Sequence, residues 1–87
     1  MEIKKVSKAG TLESNDIYIV LMPNEEQGIK IQLESIVIKQ FGDEIMRAIE
    51  ETLKANNIDK ALVIAQDKGA LDYTIRARVE TAIKRAI

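Results

Sequence analysis

The run Ile17-Tyr18-Ile19-Val20-Leu21-Met22 constrains this chain more than any other tract. Its β-branched and aromatic side chains pack well on a pleated surface, so the segment reads as a strand. Apolar residues on both of its faces predict a central position, covered on each side. Turn-forming tracts bracket it, Ser14-Asn15-Asp16 before and Pro23-Asn24-Glu25-Glu26-Gln27-Gly28 after. It is far too short to span a bilayer.

The other elements follow from periodicity. Ile29-Lys30-Ile31-Gln32-Leu33 alternates, with its apolar members on one face, and predicts a strand hairpinned to the first run. Residues 2–9 form a weak strand whose large apolar members are Ile3 and Val6. Ile38, Phe41, Ile45, Ile49, Thr52 and Leu53 recur at three- and four-residue steps, the buried stripe of a long helix. Ser35 is the expected cap at its start and Asn56-Asn57 its stop. Gly42 inside that helix costs roughly 1 kcal/mol against Ala, which close packing on a sheet would explain. Ala61-Leu62-Val63-Ile64-Ala65 is a further apolar strand, and Asp67-Lys68-Gly69-Ala70 turns into a final helix. There Ile75, Val79, Ala82, Ile83 and Ala86 define the buried stripe.

The expected architecture is α+β in the order β-β-β-α-β-α. A small mixed β-sheet carries two helices on one face, as one domain over residues 1–87. The helix between the third and fourth strands favours a parallel pair there. Helix bundles are excluded by the strand content.

The chemistry open to this chain is narrow. It holds no cysteine and no histidine, the side chains most used for nucleophilic and acid–base work near neutral pH. The four glycines are scattered, with no phosphate-loop spacing. Thirteen basic and 14 acidic residues leave a net charge of −1, so nucleic-acid binding is not expected. No membrane span or signal peptide is evident, which makes a cytoplasmic protein the simplest expectation. Glu50-Glu51 diverge by about 100° on a helix and read as a solvated face. Arg78 and Arg85, seven apart, share a flank of the last helix. That flank could meet an acidic partner or a phosphate, but base rates favour exposed solubility residues. Ser14 remains the best attachment point for covalent chemistry, although a serine beside Asn and Asp is also ordinary turn chemistry.

The tract Ala-Gly-Thr-Leu-Glu-Ser at 9–14 resembles the prosthetic-group attachment tract of the citrate lyase acyl carrier (gamma subunit) family. Further matching stretches are Ile31-Gln32-Leu33 with Ser35, Lys39-Gln40-Phe41-Gly42-Asp43 and Glu51-Thr52-Leu53-Lys54-Ala55. Asp67-Lys68-Gly69-Ala70-Leu71-Asp72 and Arg76-Ala77-Arg78-Val79-Glu80 extend the likeness over essentially the whole chain. The resemblance implies a non-catalytic carrier. Its Ser14 would bear 2'-(5''-phosphoribosyl)-3'-dephospho-coenzyme A through a phosphodiester, with an acetyl or citryl thioester on the terminal thiol. The implied partners are the citrate lyase alpha (transferase) and beta (lyase) subunits and the holo-carrier synthase that attaches the group. Where the family tract often continues Ser-Ser-Asp, this chain has Ser14-Asn15-Asp16, which removes a competing hydroxyl. The alternatives are the carrier subunit of malonate decarboxylase and an unmodified α+β interaction module.

Overall fold

A computed structural model describes residues 2–87. The strands are β1 (Ser7–Gly10), β2 (Ile17–Met22), β3 (Gly28–Ser35) and β4 (Lys60–Asp67). The helices are α1 (Ile38–Ala55) and α2 (Asp72–Ala86), so the element order is the expected β-β-β-α-β-α. The four strands form one mixed sheet in the order β1-β2-β4-β3. β1 and β4 both run antiparallel to β2, while β3 and β4 are parallel, joined across α1.

That order corrects the expected hairpin. β2 and β3 do not pair, because β4 lies between them. The reason is visible in the strands themselves. β2 and β4 carry apolar side chains on both faces and take the two interior places. β3 sets Lys30, Gln32 and Glu34 on one face, and β1 has only four residues, so both suit an edge. The expected strand over residues 2–9 is shortened to begin at Ser7. Ile3 nonetheless enters the core, whereas Val6 is exposed.

Both helices lie on one face of the sheet. Ile17, Ile19 and Leu21 of β2 and Ala61, Val63 and Ala65 of β4 point into this layer and are buried. On the opposite face Tyr18, Val20, Leu62 and Ile64 are only half-buried, so cover for β2 on both sides is incomplete. α2 packs on β1 and β2, and α1 on β3. Between them Ala48, Ile49 and Leu53 of α1 and Ile75, Val79, Ala82, Ile83 and Ala86 of α2 fill the core, the latter as the sequence pattern requires. Alanines at 48, 61, 65, 82 and 86 are fully buried in this layer. Ser7 fixes β1 to α2, its hydroxyl donating to the Ala82 carbonyl at 2.7 Å.

The helix ends are only partly those expected. Asn57 adopts φ 62°, with its N–H on the Lys54 carbonyl and the Ile58 N–H on the Leu53 carbonyl. This paired arrangement closes α1 where the sequence stops it. Ser35, by contrast, is no helix cap: it ends β3, and Val37 stands at the cap position without a side-chain bond. The Ser35 hydroxyl donates to Asp67 Oδ2 at 2.8 Å and accepts from the Val37 N–H at 3.1 Å. Asp67, almost fully buried, also receives the Gly69 and Ala70 N–H groups. It thereby ties the end of β3 to the β4–α2 turn.

The buried stripe of α1 begins only at Ile45. Ile38 and Phe41, in the first turns of α1, are 45% and 48% exposed. Gly42 does not touch the sheet. A Cβ there would meet only the Ile38 side chain, at 3.2 Å from its Cδ1. That exposed methyl can rotate away, so Gly42→Ala should stabilise the chain by up to about 1 kcal/mol. A urea unfolding midpoint raised with unchanged slope is the expected reading.

Candidate functional site

The parallel β3–β4 pair and antiparallel β2 bring three connections to one end of the sheet. Register partners Ile17, Asp67 and Ser35 mark this end. Beyond them lie loop 11–16, the β3–α1 junction and the β4–α2 turn, with the N-terminal turns of both helices alongside.

Ser14 sits in the loop 11–16 and is exposed. Its hydroxyl makes no hydrogen bond with any described residue. The loop beneath it is braced. Asp16 is buried at its base, and Arg78 from α2 grips the carboxylate with both arms, Nε on Oδ1 at 3.0 Å and Nη2 on Oδ2 at 2.9 Å. The Thr11 hydroxyl donates to Oδ2 and the Ile17 N–H to Oδ1, each at 2.7 Å. Thr11 Oγ1 in turn accepts the Glu13 N–H at 3.1 Å. On the outer side, the Asn15 N–H donates to the Lys68 carbonyl at 2.8 Å and the Lys68 N–H to the Asp16 carbonyl at 2.9 Å. Asn15 holds φ 65°, a left-handed conformation that Asn tolerates better than most residues. Ser14 is therefore displayed on a loop fixed at both sides.

The electrostatics suit a scaffold more than a catalyst. Hydrogen bonds from Arg78 hold the Asp16 carboxyl down at about 2, aided by Thr11 and the Ile17 amide and opposed by burial. So acidic a group is a poor general base for Ser14. The loop presents a hydroxyl without activating it. Among the described residues no three His, Cys, Asp or Glu side chains gather as a metal site.

Asp16 stabilises the fold in its ionised form, so this contribution is complete above the ordinary carboxylate range near 3.8 and is lost as pH falls toward about 2. Asp16→Asn should cost about 1–3 kcal/mol at pH 7, through the weakened grip of Arg78. Urea titrations of both proteins between pH 7 and pH 2 check this: the gap should narrow below pH 4.

The two arginines differ from either sequence reading. Arg78 is spent on Asp16, and Arg85 Nη1 donates to the Lys8 carbonyl at 2.7 Å. Both clamp α2 to the β1–β2 edge. The sequence reading missed the Thr11–Asp16–Arg78 unit, since a partner 62 residues away leaves no periodic signal.

The acyl carrier family described as malonate decarboxylase delta subunit (MdcD) matches residues 4–86. The citrate lyase acyl carrier protein of Streptococcus mutans is 55% identical over 99% of this chain and 84% of its own length. That of Lactiplantibacillus plantarum is 56% identical over 100% of this chain and 90% of its own. Among solved structures, a chain of a Pseudomonas malonate decarboxylase hetero-tetramer in complex with malonate superposes with TM-score 0.73. It covers 98% of this chain and 91% of that one at 17% identity, a likeness of fold.

Proposed function

This chain belongs to the citrate lyase acyl carrier protein family, and we propose that it is the acyl carrier subunit of a citrate lyase complex, bearing its prosthetic group on Ser14. The observation that carries the carrier assignment is the 55–56% identity to citrate lyase acyl carrier proteins over essentially the whole chain. An exposed Ser14 hydroxyl without a hydrogen bond among the described residues, on a loop locked from beneath by Asp16 and Arg78, supports Ser14 as the attachment point. A modifying transferase can reach such a hydroxyl, and the chain need not supply the base.

The residues present fit a coenzyme A-derived group joined through a phosphodiester. Ser14 supplies a primary hydroxyl, and the neighbouring Asn15 offers no competing one. The nearby Asp16 charge is neutralised by Arg78, so it adds little repulsion to a phosphate. When bound, the group supplies a terminal thiol on which acetyl or citryl cargo is held as a thioester. The chain's own residues anchor and orient: the braced loop fixes the root of the arm while its far end reaches the alpha and beta subunits in turn. Tethering raises the effective concentration of the acyl group to about the millimolar range at each partner site.

Reconstitution tests the reading. Modified chain added to citrate lyase alpha and beta subunits should restore citrate cleavage, and the unmodified chain should not. Activity with malonate decarboxylase subunits in place of citrate lyase subunits would instead favour the malonate carrier, whose family description also matches this chain.

A further inference from the structure

An apolar groove of about 290 Å³ opens beside the Ser14 loop, between the start of α1 and the β4–α2 turn. Val37, Phe41 and Ile45 form one wall, and Ala70, Leu71 and Ile75 the other. Phe41 and Leu71 are 48% and 59% exposed, a large apolar surface for so small a chain. We propose that this groove is the resting berth of the neutral, thiol-bearing end of the arm carried by Ser14; the inference rests on the carrier reading above.

Proximity is the first argument. Gly69 forms part of the groove wall, and a Cβ placed on it would lie 3.7 Å from Asn15 Oδ1. Asn15 is one Cα step of about 3.8 Å beyond Ser14. The Asn15–Lys68 backbone bonds hold the loop and the groove wall together. An arm rooted at Ser14 thus starts one residue from a side chain that lies against the groove wall.

Chemistry is the second. A pantetheine-type chain alternates apolar carbons with amides, and an apolar trough with a few polar rim groups suits it. The rim carries Glu44 and Asp72, the latter paired with Arg76. With Asp72 neutralised by Arg76, Glu44 supplies the negative charge at the rim, which disfavours the phosphate-bearing root and admits the uncharged end. Tethering is the third argument. At an effective concentration of about a millimolar, a berth of only millimolar affinity is about half filled, whereas a free ligand or separate partner must first pay the entropy of association. A thioester lodged in the groove is shielded from water between deliveries.

Methyl and amide NMR spectra of the isolated chain, with and without its arm, test the proposal. Intact mass first verifies that the arm is attached, which separates failure of the berth from failure of the carrier reading. Resonances of Val37, Phe41, Ala70, Leu71 and Ile75 should shift on modification, together with those of loop 11–16. The arm's thiol should be alkylated at least about twofold more slowly than that of free coenzyme A. Phe41→Ser with Leu71→Ser, both at exposed positions, should return it to the free rate once circular dichroism has verified that the variant folds. Shifts confined to loop 11–16, or alkylation at the free rate in the unmutated chain, would overturn the berth.

Discussion

Ser14→Ala should abolish attachment of the prosthetic group completely while leaving the fold and its stability unchanged within about 0.5 kcal/mol. The hydroxyl makes no hydrogen bond among the described residues, so its loss strands no partner. The bonds that shape the loop come from Thr11, Asp16, Arg78 and Lys68, all untouched by the change. Co-expression with a holo-carrier synthase, followed by intact mass and thermal melting, reads both halves. A modified Ser14→Ala protein would move the attachment point elsewhere. An unmodified one that melted well below the parent would leave a structural role for Ser14 instead.

The largest effect on stability is expected at Gly10. It holds φ 87° where β1 turns into the Ser14 loop, and a Cβ there would fall 1.8 Å from the Ile17 carbonyl oxygen. Backbone cannot rotate out of the way as a side chain can. Gly10→Ala must either abandon the left-handed conformation or open the β1–β2 closure, so a loss above about 3 kcal/mol is expected. For a domain of this size that corresponds to a melting point lower by more than about 10 °C. Gly28→Ala is the matched control, since Gly28 has φ 98° but no heavy atom within 4 Å of the added carbon. Its cost should be confined to backbone strain, about 1–2 kcal/mol. Equal melting points for the two variants would contradict the account of Gly10.

Local pattern carried much of this structure. The β2 run, the Asn56-Asn57 stop and the whole apolar stripe of α2 lie where composition and periodicity place them. The hairpin misreading came from treating neighbours in sequence as neighbours in the sheet. The alternation of Lys30 and Gln32 against Ile29, Ile31 and Leu33 already marked β3 as a strand for the edge. Phe41 misled because helical spacing says which residues share a face, not which turns of that face the rest of the fold covers. Ser35 looked like a cap from its place before an apolar run, but the buried Asp67 claims its hydroxyl.

The site was legible in one respect and not in another. Absence of cysteine and histidine, with a polar tract between strands, directed attention to Ser14. The Thr11–Asp16–Arg78 brace depends on α2 crossing the β1–β2 edge, a tertiary fact no local window contains. The same holds for the groove, whose walls are assembled from α1 and the β4–α2 turn. Both features arise because three connections converge at one end of the sheet.

The most direct test of the carrier assignment is fragmentation mass spectrometry of the chain purified from a citrate-fermenting host with its own modifying enzymes. The tryptic peptide spanning residues 9–30 should carry the mass of phosphoribosyl-dephospho-coenzyme A, localised to Ser14. A peptide of unmodified mass, from cells actively cleaving citrate, would contradict it.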